Sequence, residues 1–337
     1  NYTEGKKVIT KLKPEKLFYK TLKSDSIFSC EIIMWPRPFL SENSIKATNP
    51  LPNKNSKIYR IEDNKITFLK GNHIVEKSII IPKNMQVEFE AGTELIFNKN
   101  RYLLSYSTVK MIGDKNNPIT IKSTDGTGSG FTILQANHTS KLEYVNFDGL
   151  NTFDNNNWTL TGAVTFYESD VEISHCSFSN NHCEDALNII RSKFRFKNST
   201  IQNTPFDGFD ADFCTGRVIN CEFSNTQNDC LDFSGSNIEV LNSKIRNVGD
   251  KAISCGEKSE ITIKEVEIEH ANTAIASKDM SEVSVNEVVI ENCKTAFASF
   301  QKKPEYGPAI INIKNYKVIS TKNLSSTDNK SRITFKN

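Results

Sequence analysis

A 22-residue step runs through the middle of this chain and commits it to a repeat fold. Asp185-Ala-Leu-Asn188, Asp207-Gly-Phe-Asp210 and Asp229-Cys-Leu-Asp232 share one register. The step continues through Lys251-Ala-Ile-Ser254, Thr273-Ala-Ile-Ala276 and Thr295-Ala-Phe-Ala298. A second column agrees with the first: Phe178, Ile201, Phe223, Ile245, Ile268 and Ile290 each close a short alternating run. A unit this short has no room for a strand–helix–strand crossover, and its apolar residues recur with period two rather than 3.6. Stacked as coils roughly 4.8 Å apart, equivalent residues line up and the apolar columns fill an interior. The expected fold is all-β: one right-handed parallel β-helix with about 22 residues per coil.

The limits of the solenoid follow from where the rhythm starts and breaks. Ile79–Pro82 and Val87–Phe97 alternate as strands around Gly92, and Asn116–Lys122 begins another coil. The β-helix is therefore expected to start near Ile66 and to occupy 66–337. Residues 1–65, with the run Trp35–Pro38 and prolines at 50 and 52, read as a capping or linker segment that covers an open solenoid end. Gln301–Pro308 interrupts the step and reads as a loop. Two residues beyond the second apolar column stand Asn180, Asn203, Asn225, Asn247 and Asn292, with His270 in one place. That column reads as a turn ladder, because asparagine tolerates left-handed turns and its amide can bond along the stack.

Bulk properties exclude several classes. Lys and Arg number 42 against 40 Asp and Glu, with no basic block, which argues against a nucleic-acid partner held by its phosphates. No stretch approaches the 18 apolar residues of a membrane-spanning helix. Asn1 is not a methionine and no apolar signal core follows it, so the chain is expected to be a processed or trimmed piece, with an N-terminal domain or leader outside it. The eight cysteines are expected to be buried free thiols, since no CxxC pair or histidine cluster accompanies them. His175, His182 and His270 are scattered, which argues against a histidine-based site.

Strand alternation decides what the repeat displays. Leu187, Phe209, Leu231, Ile253, Ile275 and Phe297 form the inward column, so Asn188, Asp210, Asp232, Ser254, Ala276 and Ala298 form the outward one. Two residues on, the outward column reads Ile190, Asp212, Ser234, Gly256, Lys278 and Phe300, and Asp185, Asp207, Asp229 and Lys251 precede the strands at the turn. Turn chemistry accounts for Asp185, Asp207 and Asp229 on its own, but mid-strand Asp210, Asp212 and Asp232 set like charges side by side, which a merely structural sheet avoids. Their mutual repulsion should lift at least one carboxyl pKa. Glu184, Asn188 and Arg191 flank the acids on one side and Lys251 and Lys278 on the other, with Tyr167 and Trp158 as candidate platforms for sugar rings.

Two segments carry a family resemblance. Asn203-Thr-Pro-Phe-Asp-Gly-Phe-Asp210 resembles the polygalacturonase motif NTDG(I/F)D, and Gln227-Asn-Asp-Cys-Leu231 with Ser234-Gly-Ser-Asn-Ile238 resembles that family's DDC(I/L)…SGxNI stretch. The N-terminal coils resemble unassigned bacterial right-handed β-helix repeat proteins. The resemblance to the pectin-lyase-like superfamily covers about 66–320, its motifs only about 205–238. It implies that Asp207 and Asp229 correspond to active-site aspartates. Asn228 replaces the first Asp of the pair, and the family's Gly-His-Gly and Arg-Ile-Lys motifs are absent, with Gly249-Asp-Lys251 and Gly256 in that region.

Three functions fit these residues. The first is hydrolysis of a polysaccharide, an acidic one or one of the bacterial envelope, by two carboxylates and without a required cofactor. Asp229 or Asp232 is expected as the acid, with Asp207 or Asp210 activating water. The second is a Ca²⁺-dependent lyase or C5-epimerase of uronic acids, in which Asp207, Asp210, Asp229 and Asp232 hold the ion, Lys251 is the base and Arg191 assists. Asp212, Asn188, Arg191, Glu184, Asp185, Tyr167, Lys251 and Lys278 then contact substrate. The third is a binding-only solenoid. Each implies a polysaccharide partner and a secreted, periplasmic or cell-surface place in a bacterium.

Overall fold

The computed structural model describes residues 16–21, 25–32, 56–154 and 159–336, so Trp35–Pro38 and Trp158 lie outside the described residues. The chain forms two compact units, Asn1–Ala47 and Thr48–Asn337. In the first, Lys16–Tyr19 pairs antiparallel with Phe28–Glu31, and Tyr19 stacks on Phe28.

The second unit is a right-handed parallel β-helix of about 12 turns and about 22 residues per coil. Its first strand, Lys65–Phe68, pairs in parallel with Gln86–Phe89 on the next coil. On its other edge it pairs antiparallel with Tyr59–Glu62, which supplies partners to backbone groups that would otherwise template another strand.

Each coil contributes to three parallel sheets. One of them, the site sheet, stacks Leu103–Ser105, Phe131–Leu134, Gly162–Tyr167, Asp185–Ile190, Asp207–Asp212 and Leu231–Ser234. It continues through 251–256, 273–278 and Thr295–Phe300. The register is the one the repeat dictates: Leu187 opposes Phe209, Phe209 opposes Leu231 and Leu231 opposes Ile253. These inward residues are fully buried, and so are the ring columns Phe147, Phe178, Phe196 and Phe223. Phe147 and Phe178 stack with centroids 5.0 Å apart. Truncating such a ring to alanine leaves a cavity costing about 3–5 kcal/mol.

Side-chain ladders hold the turns. Asn180, Asn203, Asn225 and Asn247 all have φ between 54° and 58°, in the left-handed region. Each amide donates to the preceding rung: Asn203 to Asn180 at 3.0 Å, Asn225 to Asn203 at 2.9 Å and Asn247 to Asn225 at 3.0 Å. His270 and Asn292 keep the same φ, as the column predicts.

The cysteines serve packing. Seven of them are buried, Cys30 is exposed and all eight are free. Cys176 and Cys221 alternate with Ser199 and Ser243 in a hydroxyl ladder, where the Cys176 and Cys221 amides donate to Ser199 Oγ (3.0 Å) and Ser243 Oγ (3.2 Å). Burial pushes both thiols up to about 12, so they stay neutral and unreactive.

Candidate active site

The outward column of the site sheet is continuous: Leu104, Thr132, Thr165, Asn188, Asp210, Asp232, Ser254, Ala276 and Ala298 pair rung by rung. Its first member, Leu104, belongs to an apolar cluster with Tyr102, Tyr106, Leu134 and Phe153. Its last members are small. Acids occupy only the rungs between. Thr132 and Thr165 are partners although 33 residues apart, and Ala298 and Ser326 although 28 apart, so insertions leave the coils before the acidic rungs and three rungs beyond Asp232. Gln301–Pro308 lies in the second of them.

This face is recessed rather than solvated. Asp185 and Asn188 are 2% exposed, Asp229 5% and Lys278 6%. Asp207, Asp210, Asp212 and Asp232 are partly buried. Carboxylates in such a place must find donors or protons.

The described residues supply both. Asn188 Nδ2 donates to Asp185 Oδ2 (3.2 Å) and to Asp210 Oδ2 (3.1 Å), joining the two acids through one amide. Asp207 Oδ1 accepts from Asn228 Nδ2 (2.6 Å) and from the Asp229 amide (2.9 Å). Asp229 Oδ1 accepts from the Lys251 amide (3.0 Å) and from Lys251 Nζ (3.2 Å). Lys251 Nζ also binds Asp250, whose other oxygen accepts from Asn272 at 3.1 Å. Lys278 Nζ stands 3.7 Å from Asp232 Oδ1, an ion pair without a hydrogen bond, and that oxygen is buried with no hydrogen-bond partner.

Burial dominates the protonation of these acids, and neighbouring charges modulate it. Burial, reinforced by Asp185, Asp212 and Asp232, raises the Asp210 pKa well above the ordinary carboxylate range. Burial likewise lifts Asp185 to about 7, Asp207 to about 6 and Asp212 to about 6, the last helped by the charges of Asp232 and Glu257. Asp229 is also raised by burial, against the pull of Lys251. Burial opposes the Lys251 ammonium, but Asp250 and Asp229 outweigh it and hold that lysine above its ordinary value.

Other candidates stand farther from the acids. Arg191 Nη1 donates to Tyr167 Oη at 3.1 Å, lies 3.8 Å from Glu168 and sits over the Phe213 ring at 5.7 Å, so it faces the turn beside the sheet. The Glu184 side chain is exposed, and its carbonyl accepts the Asp207 amide at 2.7 Å. Four participants had no place among the sequence candidates: Asn228, Asp250, Glu257 and Lys303. Lys303 pairs with Glu257, and both charges act on Asp212, which brings the 301–308 insertion to the edge of the cluster. The break in the 22-residue rhythm is the signal that marks that loop.

Among the described residues no three His, Cys, Asp or Glu side chains converge on one point as a metal would require, and two lysine ammoniums already neutralise Asp229 and Asp232. No helix long and apolar enough to cross a membrane occurs among the described residues.

The model of the right-handed beta helix region matches residues 185–337. No curated protein matches the chain. Among solved structures, a variant of the catalytic domain of a GH87 alpha-1,3-glucanase in complex with nigerose aligns with TM-score 0.50 at 11% identity, over 81% of this chain and 64% of that one. A mutant of a periplasmic alginate epimerase aligns with TM-score 0.48 at 10% identity, over 83% and 80%. The alginate lyase from Paenibacillus sp. str. FPU-7 gives 0.42 and 10%, over 77% and 100%. The chain thus spans less than two thirds of the glucanase domain, and at these identities the likeness is one of fold. The chain is a right-handed parallel β-helix, an architecture shared by these carbohydrate-active proteins.

Proposed function

We propose that this β-helix hydrolyses a polysaccharide, with Asp210 as general acid and Asp232 as the base that activates water. One observation carries the reading. Asp210 and Asp232 are register partners on adjacent coils, yet only Asp232 has an ammonium beside it. Two carboxyl groups in unlike surroundings hold different protonation states, which is what glycoside hydrolysis asks of its acid and its base. Asp210 is buried among acids and keeps its proton. Its Oδ2 accepts from Asn188, which leaves Oδ1 to carry the proton towards a glycosidic oxygen.

This assignment reverses the roles expected from the sequence for that pair. It also moves Asp229 out of the chemistry: at 5% exposure and held by Lys251, it positions the lysine and the Asp207 loop. Asp207, lifted to about 6 and partly exposed, shapes the pKa of its neighbours and orients substrate. Lys251 is a poor base for elimination, because its two carboxylate partners stabilise the charged form. The fold shared with the catalytic domain of a GH87 alpha-1,3-glucanase in complex with nigerose supports a carbohydrate substrate.

Product analysis on polygalacturonate, alginate and α-1,3-glucan tests the reading. New reducing ends without an ultraviolet-absorbing unsaturated sugar are expected on at least one of them. An unsaturated product or an altered uronate without chain cleavage would replace hydrolysis by elimination or epimerisation.

A further inference from the structure

Nearly all phenylalanines of this solenoid are packed inside it, and the exceptions fall in one place. Among its described residues only Phe206 and Phe213 are exposed phenylalanines, at 55% and 56%. They bracket a single strand, Asp207–Asp212, which is also the strand carrying three carboxylates. Leaving two large rings in water beside the most charged rung is costly for a purely structural coil, since each would gain about 2 kcal/mol if buried.

Both rings stand on fixed backbone. The Phe206 carbonyl accepts the Asn228 amide (3.3 Å) and the Thr204 hydroxyl (3.3 Å). The Phe213 amide donates to Ser234 at 2.7 Å. Phe213 has φ 53°, a left-handed conformation that a bulky side chain adopts at a cost. The next coil accommodates the ring with Gly235, where an added Cβ would lie 2.7 Å from the Phe213 ring. The turn column around it holds Gln135, Glu168, Arg191, Gly235 and Glu257, all with positive φ, so the phenylalanine is the one apolar side chain there.

We propose that Phe206 and Phe213 are paired sugar-stacking residues, one at each edge of the site sheet. The polymer crosses the solenoid along the Asp207–Asp212 strand, with a sugar ring on each phenylalanine and the scissile bond between them. The two rings are separated by a strand of six residues and its flanks, roughly 20 Å at strand rise, a span of several sugar rings. An apolar ring face suits the C–H face of a pyranose, and the carboxylates and Asn188 between the rings suit its hydroxyls. Arg191, 5.7 Å from the Phe213 centroid, stiffens that edge.

The inference rests on the carbohydrate-acting reading but is tested apart from catalysis. Binding of polygalacturonate, alginate and α-1,3-glucan is measured by affinity electrophoresis for the full chain carrying Asp210→Asn, alone and with Phe206→Ala or Phe213→Ala. Each alanine should weaken retention by the bound polymer about tenfold, Phe206→Tyr and Phe213→Trp should restore it, and oligosaccharides too short to reach both edges should lose from only one substitution. Unchanged retention in both alanine variants overturns the proposal even if hydrolysis by the wild type is found. Weakened retention without hydrolysis in the wild type upholds the stacking residues and removes the hydrolase. Failure of the parent chain to bind any of the three polymers overturns both. Circular dichroism of each variant guards against a folding defect, which is not expected for exposed positions.

Discussion

Lys278 Nζ stands 3.7 Å from Asp232, while Asp210, its register partner one coil earlier, is met by the Asn188 amide and by no ammonium. On the proposed reading, that difference gives two chemically identical side chains the separate roles of acid and base. The following consequences can be measured.

Lys251→Met leaves Asp229 and Asp250 without their shared ammonium. Stripping one partner from a partly buried pair should cost about 2 kcal/mol. Adding Asp229→Asn should recover part of the loss, because the buried charge is then gone. Denaturant midpoints of the two variants read this directly. A lysine acting as catalytic base would instead give an inactive variant of unchanged stability.

Asp212 is lifted to about 6 by burial and by the charges of Asp232 and Glu257. Below its ordinary value of 3.8 the group is neutral in folded and unfolded chains alike, so its full contribution to stability is present there. That contribution is lost as pH rises through about 6, because the unfolded chain releases the proton first. Asp212→Asn should therefore melt above the wild type at neutral pH, by on the order of 1 kcal/mol after solvent screening, and match it near pH 4. An equal gain at both pH values would show that titration of Asp212 is not the cause.

Asn225 gives and receives one amide bond in the turn ladder and has φ 58°. Asn225→Gly keeps the backbone and loses the bonds, at about 1–2 kcal/mol. Asn225→Ala adds left-handed strain and should cost about 1 kcal/mol more. Equal losses in the two variants would leave the ladder without its conformational part.

Divalent cations have no step in the proposed chemistry. Dialysis against a chelator should leave the rate of reducing-end release unchanged, and loss of activity restored by Ca²⁺ alone would return the Ca²⁺-dependent lyase or epimerase to first place.

Much of this molecule was legible in the sequence because its interior repeats strictly. A column such as Leu187, Phe209 and Leu231 announces both the coil and its register, and the Asn180-to-Asn247 ladder follows from one residue type at one turn position. The acidic rungs were visible as the place where the outward column changes from Asn to Asp. Side-chain reach was not. Lys251 leans back onto Asp229 and forward onto neighbouring Asp250, and Asn188 spans two acids on different rungs, contacts that a column of letters does not encode. The degree of burial on that face is likewise not in the letters: alternation separates inside from outside of a coil, but exposure depends on what else lies over that face. The sequence left Asp229 and Asp232 as equal candidates for the acid, because the Lys251 ion pair that distinguishes Asp229 from its neighbours is a matter of side-chain reach.

Asp210→Asn tests the central claim most directly. With the polysaccharide that the wild type cleaves, the variant should fold, bind the polymer and release reducing ends about 10²- to 10⁴-fold more slowly at neutral pH, as expected when a general acid is removed. Release within twofold of the wild-type rate would contradict the account.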